Sequence, residues 1–298
     1  VECGEAPSCP RCSVSLTYHS VNRRLMCHYC GYSHALPQRC PQCGGPLKPV
    51  GAGTQKIEEE LRYFFPDTAV LRMDADTVTA SNNHEAILGR FRRERIPILL
   101  GTQMVAKGLD FENVTLVGVV DADMSLYVDN FRAAETTFSL ITQVVGRAGR
   151  GEQAGTAMVQ TMTPEHPVIK LAARQDYDAF YEMEIAIREL HHCPPFLDLF
   201  FITFTGLYED QVVQAAKRFR DNLRTQLKTP PYGSFPATLL GPAPCAVAKI
   251  NYTYRYRLTL AVKNGKPLRQ LLDSGLRAFA KEKQNRGVNA YADVNSYD

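Results

Sequence analysis

The sequence predicts an α/β protein with a cysteine-rich module at its N-terminus and a smaller α+β domain at its C-terminus. Seven of the nine cysteines lie within the first 43 residues. Short apolar runs then alternate with amphipathic segments as far as Thr163, which is the pattern of an α/β domain. A second alternation begins at Leu199. At 298 residues the chain is long enough for two or three domains with cores of their own.

The charge balance limits the classes of binding partner. Lys and Arg total 34 while Asp and Glu total 31, which gives a net charge of +3. A nucleic-acid surface therefore has to be a local basic patch. The sequence shows neither a run of about 18 apolar residues nor a signal peptide. We therefore expect a cytoplasmic protein without membrane contact.

Six of the N-terminal cysteines form three C-x-x-C pairs, and a glycine follows the second and third pairs directly. The pairs are Cys9–Cys12, Cys27–Cys30 and Cys40–Cys43. Two thiolates at this spacing can share one tetrahedral metal ion, and the glycine lets the backbone turn tightly beneath the sulfur atoms. The pattern predicts zinc knuckles. A disulfide framework is the alternative, which the lack of a secretion signal disfavours.

The number of cysteines is one short of two complete zinc sites. The three pairs and Cys3 supply seven thiolates, whereas two closed structural sites need eight ligands. Cys3-Gly4 has the form of the second half of another knuckle, and the chain begins at Val1 rather than Met. We therefore expect that the chain is cut within a knuckle. Alternatively, the eighth ligand is a histidine, and the candidates are His19, His28 and His34.

The segment after the cysteines predicts alternating helices and strands. QKIEEELRYFF places Ile57, Leu61 and Phe64 along one helical face, with Thr54 as the N-cap. The preceding GAGT turn lacks the Gly-Lys-Ser/Thr ending of a phosphate loop, so we interpret it as a helix start. VLRMDAD and HEAILGRFRRER follow as a strand and a helix. The arginines at the end of that helix either compensate its dipole or contact DNA.

Two continuous apolar runs, IPILLGT and VTLVGVV, predict parallel strands that are covered on both faces. In such sheets, ligands bind at the carboxyl ends of the strands. The polar segment GTQMVAKGLDF begins at the end of the first run, and the helix ETTFSLITQVVGRAGR and the strand GTAMVQT follow the second. We therefore expect GTQMVAKGLDF and QVVGRAGR to meet at one edge of the sheet.

The C-terminal third begins with two helices, TPEHPVIKLAAR and DYDAFYEMEIAIREL. The HHCPPF segment comes next, and its two prolines indicate a hinge between domains. Metal ligation by His191, His192 and Cys193 is the alternative. From Leu199 the order strand–helix–strand–strand–helix–strand predicts a split-βαβ domain.

Basic and aromatic residues alternate in the segment KINYTYRYR. Lys249, Arg255 and Arg257 can neutralise phosphates, and tyrosines such as Tyr254 can stack on bases. Only one set faces outward, because side chains alternate between the two faces of a strand. The segment therefore predicts a DNA-binding strand. The alternative is a strand that buries its tyrosines against the helices.

These motifs resemble those of a helicase family. GTQMVAKGLDF and QVVGRAGR are similar to motifs V and VI of superfamily 2 helicases. Together with the cysteines, they make almost the whole chain similar to the PriA family of primosomal replication-restart helicases. The resemblance implies an incomplete RecA-like helicase lobe 2 with an inserted cysteine-rich zinc module and a C-terminal split-βαβ-like domain. The implied domains are 1–46 (zinc), 47–163 (lobe 2), 164–195 (helical linker) and 196–298 (DNA-binding).

The resemblance also implies roles for residues of the two motifs. Arg147 and Arg150 would reach the γ-phosphate of ATP as arginine fingers, and Gln143 would position the nucleotide or the arginines. The turn that couples DNA to the ATP site would contain Gly101, Thr102, Gln103, Lys107 and Gly108. The sequence contains no G-x-x-x-x-G-K-[ST] phosphate loop. We therefore expect ATP and Mg²⁺ to bind only with a second lobe, and this chain alone to be inactive as an ATPase.

For the cysteines, the resemblance implies two nested structural Zn²⁺ sites. The inner site would contain Cys9, Cys12, Cys27 and Cys30, and the outer site Cys3, Cys40 and Cys43. The implied partners are forked or single-stranded DNA, primosome proteins and single-strand binding protein, in the bacterial cytoplasm at the nucleoid. Two alternatives remain, namely a free-standing zinc-dependent DNA-binding or scaffold protein and another superfamily 2 helicase.

Overall fold

The structure is a computed structural model, and it describes residues 2–19, 22–48, 53–74, 77–78, 83–106, 114–146, 155–230, 232 and 236–296. The chain forms two compact units. The first unit combines Val1–Pro49 with Ile185–Asp298, and the second comprises Val50–Glu184. In the part of the chain that the structure describes, no helix has the length and apolar character needed to span a membrane.

The N-terminal module is a small antiparallel meander. Its strands are β1 (Thr17–His19), β2 (Arg24–Met26) and β3 (Ser33–Ala35), and β2 lies between the other two. Three-residue strands cannot enclose a hydrophobic core. The buried cluster of this module consists of Cys9, Cys12 and Cys27 instead. The cysteines therefore occupy the place that apolar side chains take in a larger domain.

The second unit contains two pairs of parallel strands with helices between them. Its elements in chain order are α1 (Thr54–Phe64), β4 (Val70–Met73), α2 (His84–Arg93), β5 (Ile98–Gly101), α3 (Gln103–Ala106), β6 (Leu116–Val119), α4 (Asp123–Leu126), α5 (Ala133–Val145), β7 (Thr156–Val159), α6 (Pro167–Ala173) and α7 (Tyr177–Leu190), of which α7 extends beyond this unit. Strand β4 pairs with β5, and β6 pairs with β7. The parallel pairing agrees with the sequence prediction.

Helix α1 differs from the prediction at its start and on its surface. The helix begins at Thr54 and its N-cap is Gly53, so the predicted Thr54 cap is wrong. The Thr54 hydroxyl instead donates a hydrogen bond to the Asp74 carboxylate. No residue of α1 is buried, and Phe64 is 69% exposed. Ile57 and Leu61 are half-buried, so the predicted apolar face is only partly covered.

Strands β6 and β7 are covered on one face rather than on both. Val119 and Val159 pack against the buried cluster of α4–α7, whereas Leu116 and Met158 are 59% and 62% exposed. Burial alternates along both strands because, among the described elements, each pairs only with the other and the helices pack on one side. Two-sided cover was the wrong prediction for β6, although the apolar run VTLVGVV suggested it.

The core of the second unit lies between α5, α6 and α7. Phe138 of α5 stacks on Phe180 of α7 with ring centroids 4.1 Å apart, and Val168 and Ala172 of α6 pack beside them. The sequence predicts this region as part of a linker over 164–195. The structure instead places its first 21 residues in the compact unit, which ends at Glu184. The apolar faces of α6 and α7 supply the reason, because they complete this core.

The C-terminal part of the first unit is a four-stranded antiparallel sheet with two helices. Its elements are β8 (Asp198–Gly206), α8 (Glu209–Leu227), β9 (Ala237–Ile250), β10 (Thr253–Val262), α9 (Lys266–Lys281) and β11 (Val288–Val294). The predicted order of elements is observed. The strands lie in the order β11-β8-β10-β9. The rings of Phe204, Phe219 and Phe279 meet edge to face and join the sheet to both helices.

Candidate metal centres and nucleic-acid surface

Four cysteines from two knuckles form a closed group. The sulfur atoms of Cys9, Cys12, Cys27 and Cys30 all lie within 4.8 Å of one another. The sulfur atoms of Cys9 and Cys30 are 3.6 Å apart. Four thiolates around one zinc ion lie about 3.8 Å from each other, since each Zn–S bond is about 2.3 Å long. The group therefore fits a tetrahedral zinc ion. All nine cysteines are free, so the disulfide alternative finds no support.

A second group contains Cys3, Cys40 and Cys43. The sulfur atoms of Cys3 and Cys40 lie 3.8 Å apart, which again suits ligands of one zinc ion. Gly4 has a φ of 70°, close to the 71° of Gly31 and the 72° of Gly44. Cys3 therefore precedes a left-handed glycine just as Cys30 and Cys43 do. The two groups are the ones that the family resemblance implies.

The three histidines considered as an eighth ligand lie elsewhere. The Nε2 atoms of His19 and His28 are 3.3 Å apart, so these two side chains contact each other. Nδ1 of His34 donates to the carbonyl oxygen of Ala35. Within the described ranges, the group around Cys40 contains three cysteines and no histidine. Among the described residues, His191, His192 and Cys193 do not form a ligand group of three either. The predicted hinge at this segment lies inside the first unit, because the two units divide between Glu184 and Ile185.

Backbone N–H groups tune the thiols of the knuckles. Burial raises the pKa of the Cys27 thiol, but the N–H groups of Cys30 and Tyr29 donate to its sulfur, and the net pKa falls to about 7. The N–H groups of Cys43 and Gln42 likewise lower the pKa of Cys40 to about 7. These two knuckles thus favour the thiolate of their first cysteine, which is the form that binds a metal ion, whereas burial raises the pKa of Cys9 in the first knuckle.

The inner group also contains a thiol whose pKa moves in the opposite direction. Burial raises the pKa of Cys12 to about 12, although the backbone N–H of Asn251 donates to its sulfur and opposes this shift. A bound cation favours the thiolate form of such a buried cysteine. Metal binding and burial of Cys12 are therefore compatible.

Strands β4 and β5 and the start of helix α3 approach one another closely at Gly101, which leaves no room for a side chain there. A Cβ atom at this position would lie 2.5 Å from the carbonyl oxygen of Met73 and 2.2 Å from Cγ2 of Val105. Thr102 and Gln103 follow it and are exposed. Gln143 is exposed near the end of α5. Four further residues of these predicted motifs lie outside the described residues, namely Lys107, Gly108, Arg147 and Arg150.

Two aspartates at strand ends, which the sequence did not single out as site residues, organise the same unit. Asp74, after β4, accepts from Thr54 and Thr77 and pairs with Arg72 Nε at 3.0 Å. Burial raises its pKa, but these partners outweigh burial and lower it. Asp123, after β6, accepts from the Met162 backbone and from two threonine hydroxyls, which also lowers its pKa. Each aspartate fixes the end of its strand.

The faces of β10 separate its tyrosines from its arginines. Tyr256 packs against the core beneath the helices, and its hydroxyl donates to Glu209 at 2.6 Å. Arg257 belongs to the opposite face by alternation, and its guanidinium lies over the ring of Phe201 at 4.8 Å. Arg255 shares that face, while Tyr254 shares the face of Tyr256. For Tyr256 the structure favours the buried alternative.

The neighbouring basic residues are engaged in local contacts. The Lys249 ammonium lies 5.6 Å from the centre of the Tyr254 ring, a cation–π arrangement. Arg218 of α8 donates to the side chain of Asn285 at 2.7 Å. Arg220 pairs with Asp221. Arg218 and Arg220 thus support the fold locally, and the half-buried Arg255 and Arg257 share one face of β10.

Comparison with known proteins identifies the family. Residues 9–34 match the model of the PriA DNA helicase Cys-rich region, and residues 189–297 match the Primosomal protein N C-terminal domain. The chain belongs to the PriA family. Residues 52–152, between these two matches, fit the Helicase conserved C-terminal domain. The matched zinc-ribbon segment includes all four cysteines of the inner group.

Individual relatives support the same assignment. Replication restart protein PriA of Bacillus subtilis is 40% identical over 297 residues, which are 99% of this chain and 36% of the relative. The protein of the same name from Chlamydia pneumoniae is 40% identical over 261 residues, 87% of this chain and 34% of the relative. The chain thus spans about a third of the length of these relatives.

Proposed function

We propose that this chain acts as the C-terminal part of an ATP-dependent 3′-to-5′ DNA helicase that restarts replication at stalled forks. One observation carries the proposal. A PriA-type cysteine-rich region, a helicase C-terminal domain and a primosomal C-terminal domain follow one another in a single chain. Related helicases share single motifs, whereas this combination favours the PriA family over other superfamily 2 enzymes.

In this proposal the second unit is a RecA-like lobe 2 that completes an ATP site from one side. Arg147 and Arg150 act as arginine fingers, because a planar guanidinium can pair with two oxygens of the transferring phosphoryl group. Gln143 positions them. The Gly101–Gln103 turn, with Lys107 and Gly108, couples DNA contact to this site. A second lobe supplies the phosphate loop and holds Mg²⁺.

The proposed role of zinc is structural. The inner ion is held by four cysteines, which is the ligand set of a closed zinc site. Cys3, Cys40 and Cys43 hold a second zinc ion. Because β1–β3 enclose no apolar core of their own, metal binding supplies the folding free energy of this module.

The proposed nucleic-acid surface lies on the C-terminal sheet. Arg255 and Arg257 contact phosphates of forked or single-stranded DNA from one face of β10. Tyr254 of β10 and its cross-strand partner Lys249 of β9 provide a second contact, a ring and a charge, at the end of the same hairpin. Primosome proteins and single-strand binding protein are the proposed protein partners, in the cytoplasm of a bacterium at its nucleoid. No membrane contact forms part of the proposal.

The experiment compares this chain with a chimera in which it replaces the matching segment of the Bacillus subtilis relative. We expect the chimera to hydrolyse ATP in the presence of single-stranded DNA, and this chain alone to bind DNA without turnover. Zinc content, measured on both proteins, serves as the folding control. A folded, DNA-binding chimera without ATP turnover would contradict the helicase assignment and support a free-standing DNA-binding protein.

A further inference from the structure

The outermost strand of the C-terminal sheet is joined to the cysteine-rich module. Strand β9 lies at one end of the sheet, so the backbone groups on its outer side have no partner strand among the described residues. At Lys249 these groups bind Ser13. The Ser13 N–H donates to the Lys249 carbonyl at 2.9 Å, and the Lys249 N–H donates to the Ser13 hydroxyl at 2.9 Å. The module thus covers part of the edge.

The turn between β9 and β10 has an unusual backbone conformation. Its two residues, Asn251 and Tyr252, have φ angles of 46° and 64°. Two-residue hairpin turns with positive φ at both positions favour Asn-Gly, because glycine has no Cβ to clash. Asparagine is tolerated there, whereas a bulky tyrosine is uncommon. Contacts outside the hairpin are therefore needed to favour this conformation.

The cysteine-rich module provides those contacts through both N–H groups of the turn. The Asn251 N–H donates to Sγ of Cys12 at 3.2 Å, and the Tyr252 N–H donates to the carbonyl oxygen of Arg11 at 2.8 Å. Ile250, at the end of β9, packs against the buried cysteines. The hairpin therefore supplies both a hydrogen-bond donor and apolar cover to one side of the inner group.

We propose that the β9–β10 hairpin is the outer shell of the inner zinc site, so that zinc retention and the hairpin conformation depend on each other. An N–H group that donates to a ligand thiolate stabilises its charge and fixes its direction. Apolar cover keeps water and competing ligands from the metal. In return, the zinc-bound module holds the strained turn and the start of β10. The inference requires a metal ion at the inner site and does not depend on helicase activity.

Zinc release from the full chain tests the proposal in one direction. Ile250→Ala removes the apolar cover, and we expect it to accelerate release of one of the two zinc ions to a chromogenic chelator by about tenfold. The release of the other ion serves as an internal control. Leu240→Ala is the matched control, because Leu240 lies on the same strand and is 60% exposed. Unchanged release from Ile250→Ala, or equal acceleration by Leu240→Ala, would overturn the proposal.

Hydrogen exchange tests whether the hairpin conformation depends on zinc. We expect the amides of Asn251 and Tyr252 to be protected in the zinc-loaded chain and to exchange rapidly after zinc removal, while amides in the middle of β8 and β10 stay protected. Tyr252→Gly retains both N–H groups of the turn and removes the unfavourable positive φ of a tyrosine. The rate of zinc release from this variant should therefore equal or fall below that of the unaltered chain. If the amides of residues 251–252 stay protected after zinc removal, the hairpin conformation does not depend on zinc and the proposal is wrong. Faster zinc release from Tyr252→Gly would also overturn the proposal, because the tyrosine side chain rather than the backbone N–H groups would then be what retains zinc.

Discussion

The backbone N–H of Asn251 lies 3.2 Å from the sulfur of Cys12, although the two residues are 239 positions apart in sequence. This hydrogen bond joins the segment with the basic and aromatic residues to the cysteine cluster. The cysteine-rich module and the C-terminal sheet consequently form one compact unit. Loss of zinc from the inner cysteine group is therefore expected to alter the conformation at the start of β10, the proposed DNA-binding strand.

Removal of zinc should unfold the cysteine-rich module selectively. We expect a chelator to expose residues 3–46 and the tip of the β9–β10 hairpin to protease, because the module has cysteines in place of an apolar core. The two α/β cores should keep their secondary structure. Limited proteolysis with mass spectrometry and far-UV circular dichroism together measure this. Loss of all secondary structure on chelation would contradict the modular account.

Asp74→Ala should destabilise the second unit. The Asp74 side chain is 8% exposed and pairs with Arg72, which is 13% exposed. Removing one partner of such a buried pair costs about 3 kcal/mol in the free energy of unfolding. Urea unfolding at pH 7 measures the cost. Asp67→Ala, at an exposed aspartate of the same unit, is the control and should have little effect.

The effect of Asp74→Ala should also depend on pH. The folded state lowers the pKa of Asp74, so its contribution to stability is complete above the unfolded pKa of about 4. This contribution is lost as the pH falls below that value and the carboxylate becomes protonated. The difference between the unaltered and altered chains should therefore shrink at about pH 3. A difference that stays constant across this window would exclude the carboxylate charge as its source.

Gly101→Ala should destabilise the turn between β5 and α3. The new methyl group would meet Met73 and Val105 well inside van der Waals distance, and such overpacking costs about 2 kcal/mol. Gly118→Ala provides the matched control, since a Cβ at Gly118 meets no atom within 4 Å. Thermal unfolding of both variants measures the difference. Equal melting temperatures would show that the close approach at Gly101 is not required.

Arg255→Ala should weaken DNA binding uniformly across sequences. A contact to phosphate depends on salt because counterions are released, so we expect the slope of log K against log salt to fall by about 1. Arg277→Ala removes the same charge from the exposed surface of α9, where Arg277 pairs with Asp273, and is the control. Fluorescence anisotropy with a single-stranded oligonucleotide at several salt concentrations measures both. Equal slopes for the two variants would show that Arg255 does not contact DNA phosphates.

Short-range patterns in the sequence predicted the local features of the fold. The C-x-x-C spacing and the following glycines indicated the knuckles, because thiolate geometry and a positive φ are local requirements. Apolar runs and turn residues gave the order of elements in the C-terminal domain. Both features depend on residues that are close together in the chain.

Features that depend on distant contacts were missed. The Thr54 hydroxyl matched an N-cap pattern, yet Asp74, which is 20 residues away, binds it instead. The hairpin contact to Cys12 is made by a backbone N–H, which leaves no signature in the side-chain pattern. The alternation in KINYTYRYR does not show which face of the strand is buried. Tyr256 points inward because it packs against the core beneath α8 and α9.

The central claim is that this chain supplies an arginine to an ATP site completed by another lobe. The most direct measurement is ATP turnover of the chimera carrying Arg147→Ala, with DNA binding measured in parallel and Arg277→Ala as the control. We expect kcat to fall by about a thousandfold while DNA affinity and zinc content stay unchanged. Turnover equal to that of the unaltered chimera would contradict the role of Arg147 and, with it, the proposed division of the ATP site.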